Sequence, residues 1–276
     1  MQTCSTDVFE LVLVDVSDIP SAAVVSDFSE RLRIKHLLAP NRGVAANRNV
    51  GACAAASPLL LFLDDDCVTT PGWMAAMLST AEKNPGALIG GGIKNLHPEN
   101  AVSCAGQVIT EVVDSVCNGT AAGATFFPGL NFAVPRKTYL QLGGCDESYG
   151  RLAAEDREFM HRWRGKGFQM VAAPEAEVAH EHRCDYMSFV RQYFNYGRGA
   201  QLFHKNNRRR SASTLTNATG MHLKLPYYLR PAMSKLGIMM RLKVLMLLVI
   251  WELSNLAGFI WQSLQSRILV HCTSEN

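Results

Sequence analysis

Three consecutive aspartates follow the most apolar short run that precedes the C-terminal region. Asp64, Asp65 and Asp66 come directly after the leucine-rich residues 59–63. Two carboxylates in an i, i+2 relation at a strand end can chelate one hard cation, and oxygen ligands suit Mg²⁺ or Mn²⁺. Such a cation can bridge a diphosphate and neutralise the charge that develops as it leaves. A solvated acidic turn explains the triplet alone equally well, but close like charges favour a cation.

A second acidic pair opens a later predicted helix. Glu155 and Asp156 lie at the start of residues 153–166, a helical pattern that ends at Gly167. The positive end of the helix dipole stabilises an acid there, which is a purely structural role. The functional alternative is a general base that removes a proton from an acceptor hydroxyl. From these residues alone, both interpretations remain open.

Two histidines, His180 and His182, stand two residues apart just after a predicted short strand. In a strand, an i, i+2 pair points both rings to one face, and such a pair can bind a metal. A packed histidine is the more frequent alternative. We therefore keep His180 as a candidate metal ligand only.

The elements that must position these residues alternate between apolar strands and helices. The pattern predicts strands at residues 9–15, 34–38, 59–63 and 87–93, with helices at 44–56 and about 71–83. This alternation favours an α/β domain with a mostly parallel sheet flanked by helices. Ligands of such sheets bind beyond the C-terminal ends of the strands, where the aspartates stand.

The second half of the chain is less regular. Residues 95–125 are weakly patterned, and the remaining pattern predicts strands at 126–134, 168–172 and 177–179 and helices at 135–142, 153–166 and 185–203. The basic run at residues 208–210 is most simply a solvated loop, and a contact to membrane phosphate is the alternative.

An apolar segment, residues 236–264, differs from the rest in composition. Residues 244–261 match the length of a membrane span, but Glu252, Ser254 and Asn255 interrupt them. The segment is compatible with an amphipathic helix that lies in the plane of the membrane and with an imperfect membrane-spanning helix. The alternative is a helix that packs on the catalytic domain. Because a basic segment precedes it and tryptophans lie within it, we predict membrane association. We divide the chain into a domain at 1–204 and a basic linker with apolar helices at 205–276.

Composition narrows the classes of protein. The chain has 276 residues, 48% of them hydrophobic, and a net charge of +3. This excludes bulk disorder and does not suggest a nucleic-acid partner. Eight irregularly spaced cysteines and the absence of a secretory pattern at the start predict free thiols and a cytoplasmic location, at the inner face of the membrane.

The motifs, taken in order, resemble family-2 glycosyltransferases with the GT-A fold. The donor half of that family is matched by Asn41-Arg42-Gly43, Ala46-Asn47-Arg48-Asn49-Val50-Gly51, Leu63-Asp64-Asp65-Asp66 and Pro71-Gly72-Trp73. The acceptor half is matched by Gly129-Leu130-Asn131-Phe132-Ala133, Leu142-Gly143-Gly144-Cys145-Asp146-Glu147, Ala154-Glu155-Asp156 and His180-Glu181-His182. The resemblance covers roughly residues 9–199, and its specificity lies in the order and spacing of the motifs.

The resemblance implies an inverting transfer, a single in-line displacement at the anomeric carbon of the sugar. Asp156 then takes the position of the catalytic base, and Glu155 supports it or holds the acceptor. Asp64 and Asp66 take the metal positions, with Asp66 the direct ligand, and a late histidine such as His180 completes the metal shell in some members.

The remaining residues implied by the resemblance bind the donor. Asp15 matches the acid that reads the nucleotide base, and Arg48 matches a residue near the pyrophosphate. Asp65 fills the variable middle position and could touch the ribose. Asn131 is implied to shape the sugar pocket. The partners are a nucleotide-sugar donor and a glycan or lipid-linked saccharide acceptor.

The start of the chain departs from the family. Members normally have an apolar strand and a helix ahead of the strand at residues 9–15, in the middle of the sheet. Only eight residues precede Phe9. Our hypothesis is an N-terminally shortened chain with open strand edges. The alternative function is then a catalytically impaired sugar-nucleotide-binding remnant, and a nucleotidyltransferase ranks last because no Gly-rich phosphate loop stands near the start.

Overall fold

A computed structural model describes residues 2–18, 21–119, 123–210, 229, 233–234 and 236–274, without the side chains of 208–210 and 267–274. The backbone groups into two compact units. The first unit comprises Met1–Lys94, Ala121–Arg151 and Glu155–His180. The second comprises Asn95–Thr120, Leu152–Ala154 and Glu181–Asn276.

The first unit contains two sheets. Strands β1 (Leu11–Asp15) and β2 (Ile34–Leu38) pair in parallel, with helix α1 (Ala22–Ser29) between them in the chain. The second sheet has the order β3-β6-β5-β7-β4, with β3 at Leu59–Leu63, β4 at Cys67–Thr69, β5 at Leu88–Asn95, β6 at Asn131–Pro135 and β7 at Met170–His180. Among the described residues, no ladder joins β1 to β3, so β3 stands at an edge.

The direction of the strands differs from the expected mostly parallel sheet. Of the ladders described, only β1 with β2 is parallel. β3 and β5 both pair antiparallel with β6, and β4 pairs antiparallel with β7. Apolar runs reveal strands but not their partners, and β6 lies between β3 and β5 in the opposite direction. The α/β class and its flanking helices are confirmed.

Three helices of the first unit carry or support the acidic residues. They are α2 (Val44–Ala54), α5 (Arg136–Gln141) and α6 (Glu155–Gly165), and a fourth helix, α3 (Trp73–Lys83), follows β4. An aromatic core packs α2, α5 and α6 onto β3 and β6. The ring centroids of Phe62 and Phe132 lie 4.7 Å apart in a stacked arrangement, and those of Tyr139 and Phe159 lie 4.9 Å apart. This packing fixes α2 and the start of α6 relative to the end of β3.

The second unit is helical. It contains α4 (Ala101–Asn118), α7 (Tyr186–Arg210) and α8 (Ile238–Ser274), which share a core that includes Val108, Phe189 and Trp251. α7 and α8 approach so closely that a Cβ added at Gly258 would lie 1.9 Å from the carbonyl oxygen of Phe194. Glycine is therefore required at this crossing.

One sequence expectation is wrong in this unit, and one segment for which no element was predicted is helical. The weakly patterned residues 95–125 contain α4, whose Asn100 cap accepts hydrogen bonds from the backbone N–H groups of Val102 and Ser103. Residues 208–210 are not a loop, because their backbone continues α7. The seven cysteines whose side chains are described are all free, and Cys272 lies outside them.

Candidate active site

Arg48 joins three parts of the chain. Its side chain extends from α2 and is 9% exposed. Nη1 donates to Oε1 of Glu155 at 2.8 Å, and Nη2 donates to Oδ1 of Asp64 at 3.0 Å. Nη2 also donates to the carbonyl of Gly129 at 2.8 Å. The planar guanidinium therefore holds the acid after β3 and the acid that opens α6 in one cluster.

Gly129 connects Arg48 to Asp156. Its N–H donates to Oδ2 of Asp156 at 2.9 Å, while its carbonyl accepts from Arg48. A Cβ added at Gly129 would lie 2.8 Å from Nη1 of Arg48 and 2.9 Å from Cβ of Asp156. No side chain fits between these two residues.

Asp156 is fixed by the N-terminus of α6. Its Oδ1 accepts from the backbone N–H of Arg157 at 2.7 Å, in addition to the bond from Gly129. Ala154, just before the acidic pair, has a φ of +80°, which an L-residue adopts at an energetic cost. Strain of this kind often accompanies functional positions.

Burial and neighbouring charges shift the pKa values of Glu155 and Arg48. Burial raises the pKa of Glu155 to about 7, and the nearby charge of Asp156 adds to the effect, while Arg48 opposes it. Burial works against the charge of Arg48, but Asp64 and Glu155 raise the pKa of the guanidinium on balance. Arg48 therefore stays charged, whereas Glu155 exchanges its proton near neutral pH.

A second cluster lies at the start of β4. Nε2 of His180 lies 3.4 Å from Oδ1 of Asp66, and Sγ of Cys67 lies 3.8 Å from the same oxygen. The three ligand atoms all lie within 4.8 Å of one another. His180 is the last residue of β7 and pairs in register with Cys67. The donor set of carboxylate, imidazole and thiol fits a divalent cation.

The other two aspartates of the triplet are not among these three ligand residues. Asp64, predicted to share the metal with Asp66, directs Oδ1 to Arg48 instead. Burial, only partly offset by Arg48, raises its pKa. Asp65 is exposed. His182 lies beyond the end of β7, and its Nε2 lies 3.1 Å from Oε1 of Gln107.

Asp15 is enclosed by donors from the protein. Its side chain is 4% exposed, and its oxygens accept hydrogen bonds from the backbone N–H groups of Ser17 at 3.0 Å and Ser21 at 2.7 Å. The Ser17 hydroxyl and Nε2 of His36 also contact it. The Ser17 hydroxyl, the Ser21 N–H and the other donors hold the pKa of Asp15 well below its usual range. Asp15 therefore organises the loop that follows β1.

Asn131 is not brought to the acidic cluster. It is 1% exposed, and its Oδ1 accepts from Nε1 of Trp73 at 2.9 Å. Its Nδ2 donates to the carbonyls of Gly92 and Ala176, each at 2.9 Å. Because these bonds link β6 to β5, β7 and α3, Asn131 acts as a cross-link within the core.

Two residues of these clusters were missed by sequence reasoning. Gly129 was named only as part of a motif, although a glycine that directly follows a proline can signal a turn and a close backbone approach. Cys67 directly follows the aspartates, and its i+1 position was a usable signal. Its pairing with His180, however, depends on a strand register that the sequence does not reveal.

Comparison with known proteins identifies the family. The profile described as "Glycosyltransferase like family 2" matches residues 2–206. The chain belongs to this family. It is 27% identical over 212 residues to validoxylamine A glucosyltransferase of Streptomyces hygroscopicus subsp. jinggangensis, covering 65% of this chain and 50% of that protein. It is also 27% identical over 181 residues to glucosyl-dolichyl phosphate glucuronosyltransferase of Haloferax volcanii, covering 61% and 51%. The chain thus spans about half the length of these curated relatives.

Solved structures confirm the fold of this family-2 chain. The mannosyltransferase PcManGT from Pyrobaculum calidifontis, in complex with GDP-Man and Mn²⁺, superposes with a TM-score of 0.59 at 15% identity, covering 99% of this chain and 79% of that one. S. aureus TarS 1–349 gives a TM-score of 0.52 at 14% identity, covering 92% and 74%. The GT-A fold predicted from the motifs is confirmed.

Proposed function

We propose that this chain transfers a sugar, with inversion, from a nucleoside-diphosphate donor to a hydroxyl of a glycan or lipid-linked saccharide. The observation that carries the proposal is the buried Arg48, which joins Asp64 after β3 to Glu155 at the start of α6. Two of the similar proteins support the same class of substrate, since one is a glucosyl-dolichyl phosphate glucuronosyltransferase and the other binds GDP-Man.

Asp156 is the general base of the proposed reaction. Removal of the acceptor proton by a positioned carboxylate generates the nucleophile as it attacks the anomeric carbon. The N–H groups of Gly129 and Arg157 fix the orientation of this carboxylate. Such orientation keeps the base within reach of one hydroxyl and lowers the entropic cost of the attack.

Arg48 and Glu155 have positioning roles in this proposal. Three hydrogen bonds engage the guanidinium, so its first function is to hold Asp64, Glu155 and the Gly129 carbonyl together. Glu155 accepts a hydrogen bond from Arg48 and so keeps the guanidinium beside Asp156. A contact from Arg48 to the donor pyrophosphate, and the donor contacts of Asp15, Asp65 and Asn131, stay predictions from the resemblance.

Asp66 and His180 would hold the divalent cation, Mn²⁺ or Mg²⁺. Bound there, the cation would neutralise the charge of the departing nucleoside diphosphate. Asp64 is retained as a candidate ligand through its second oxygen, since Oδ1 is engaged by Arg48. The solved relative with Mn²⁺ supports the use of a divalent ion.

Helix α8 supplies a surface for lipid. Residues 238–266 are long and apolar enough to cross a membrane, by length and composition only, with one third of the most apolar window buried. Val244, Leu247 and Trp251 face the core of the second unit. On the opposite face Val249, Leu253 and Leu256 are 56 to 61% exposed. We propose that this open face lies on the cytoplasmic face of the membrane. We further propose that residues 1–204 form the catalytic domain and that residues 205–276 attach the chain to the membrane.

The proposal is tested by a screen of nucleotide-sugar donors with Mn²⁺. The measured quantity is release of nucleoside diphosphate by the whole chain, by Asp66→Asn and by the control Asp114→Asn, an exposed change on α4. The expected result is metal-dependent release that falls about 100-fold or more in Asp66→Asn and less than about 2-fold in Asp114→Asn. Donor binding without any release by the wild type would favour the alternative, a catalytically impaired sugar-nucleotide-binding protein.

A further inference from the structure

The candidate metal site formed by Asp66, Cys67 and His180 differs from a site of aspartates alone because it contains a thiol. Cys67 follows Asp66 directly, and its Sγ lies 3.8 Å from Oδ1 of Asp66 and within 4.8 Å of a ring nitrogen of His180. Cys67 and His180 are register partners across the antiparallel ladder of β4 and β7. Directly opposite residues in such a ladder project to the same face, so the two ligand atoms converge by the geometry of the sheet.

Two of the three separations between the ligand atoms lie in the range of a tetrahedral ion. Ligands about 2.0–2.3 Å from a tetrahedral cation lie roughly 3.3–3.8 Å apart. Neighbouring oxygens around an octahedral Mg²⁺ lie only about 3.0 Å apart. The observed 3.4 Å from Oδ1 of Asp66 to Nε2 of His180 and 3.8 Å to Sγ of Cys67 match the first arrangement.

The chemistry of the donors agrees with this geometry. A thiol beside an imidazole selects softer cations such as Zn²⁺, whereas carboxylates alone suit Mg²⁺ and Mn²⁺. The Asp66 side chain is 33% exposed and that of His180 is 12% exposed, so the site is both sheltered and reachable. Three protein ligands leave a fourth position open, which is typical of zinc sites that also bind a substrate group.

From these observations we infer that Cys67 is a third protein ligand of the cation site and gives it selectivity for thiophilic cations. Zn²⁺ and Cd²⁺ then bind through Sγ of Cys67, with Asp66 and His180, more tightly than Mn²⁺ or Mg²⁺. This inference rests on the metal site of the proposed function, and it assigns a specificity-determining residue that the aspartate triplet alone does not supply.

Cadmium provides a direct probe of the inference, because a cadmium–thiolate bond absorbs in the ultraviolet. The whole chain is titrated with Cd²⁺, and Zn²⁺ and Mn²⁺ affinities are measured by calorimetry. The variants are Cys67→Ser and the matched control Cys53→Ser, which changes an exposed cysteine on α2. The expected result is that Cys67→Ser removes the absorption band and lowers the ratio of Zn²⁺ to Mn²⁺ affinity about 10-fold or more, while Cys53→Ser keeps both.

Two outcomes would overturn the inference. In the first, Cys67→Ser keeps both the Cd²⁺ absorption band and the ratio of Zn²⁺ to Mn²⁺ affinity. In the second, Cys67→Ser lowers the Zn²⁺ and Mn²⁺ affinities equally, so that Cys67 does not determine the choice of cation. Asp66→Asn separates this inference from the proposed function. If Asp66→Asn loses Mn²⁺ while Cys67→Ser changes nothing, the cation site stands and the role of Cys67 fails. If Asp66→Asn retains Mn²⁺, the cation site of the proposed function fails.

Discussion

Nη1 of Arg48 lies 2.8 Å from Oε1 of Glu155, although 107 residues separate them in the chain. The two residues come from different helices, α2 and α6, and both side chains are largely buried. A buried ion pair is strongly destabilising when one partner is removed, because the other charge is left without compensation. The pair therefore provides a sensitive test of how the acidic cluster is held together.

Arg48 is tested by Arg48→Met and Arg48→Lys. Arg48→Met leaves Asp64 and Glu155 without a cation, and we expect the free energy of unfolding to fall by about 3 kcal/mol. Arg48→Lys keeps the charge but cannot reach Glu155, Asp64 and Gly129 together, so a loss of about 1–2 kcal/mol is expected. Urea unfolding measures both values.

The control for Arg48 is Arg31→Lys. Arg31 is exposed and donates to the backbone carbonyl of Asp27. Its replacement should change the free energy of unfolding by less than about 0.5 kcal/mol. Equal losses in the free energy of unfolding for Arg48→Lys and Arg31→Lys would show that the three hydrogen bonds of the buried Arg48 guanidinium do not stabilise the fold.

Gly129 is tested by Gly129→Ala. The new Cβ would lie within 3.0 Å of both Nη1 of Arg48 and Cβ of Asp156, so one of them must move. We expect a loss of stability of about 1–3 kcal/mol and weaker nucleoside diphosphate release. Thermal unfolding and the donor assay measure the two effects. Gly72→Ala is the control, because nothing lies within 4 Å of its added Cβ, and a defect of similar size there would contradict the proposed contact.

The pH dependence of stability reports on Glu155. Its pKa is raised from 4.5 to about 7 in the folded chain. Between these values the folded chain keeps a proton that the unfolded chain has released, so stability falls as the pH rises through this window. We expect the free energy of unfolding of the wild type, relative to Glu155→Gln, to decrease from about pH 4.5 to about pH 7 and then level off. A difference that stays constant or rises would contradict the raised pKa.

The open face of α8 is tested by Leu253→Glu. Leu253 is 61% exposed, so its replacement should not disturb the core of the second unit. We expect binding of the whole chain to lipid vesicles to weaken about 10-fold, since an apolar contact is lost and a charge meets the lipid. Vesicle sedimentation measures this. Ser115→Glu introduces the same charge at an exposed position of α4, and equal weakening by both variants would argue against a specific lipid-binding face.

Local patterns allowed much of the fold to be predicted. The strand at 59–63 agrees with the observed Leu59–Leu63, and the helix predicted at about 71–83 agrees with Trp73–Lys83. Both segments have signals within a few residues: an apolar run that stops at acids, and a Pro-Gly start. Element type and boundaries follow from such signals because they depend on nearby residues.

Relations between distant segments could not be predicted in the same way. Nothing within β6 indicates that it pairs antiparallel with both β3 and β5. The register of β4 with β7, which brings Cys67 to His180, likewise depends on tertiary packing. Asn131 illustrates the consequence at the level of one residue, because its motif predicts a donor contact whereas its buried hydrogen bonds link strands.

Single-turnover sugar transfer by the whole chain and by Asp156→Asn tests whether Asp156 is the general base. Asparagine has the same size as aspartate and occupies the same position at the start of α6. Its neutral amide cannot remove the proton from the hydroxyl of the acceptor substrate. We predict that the rate of transfer falls at least about 100-fold while donor affinity changes less than about 3-fold. Asp114→Asn, an exposed change on α4, should leave both unchanged. A transfer rate of Asp156→Asn close to that of the wild type would contradict the role of Asp156 as the general base.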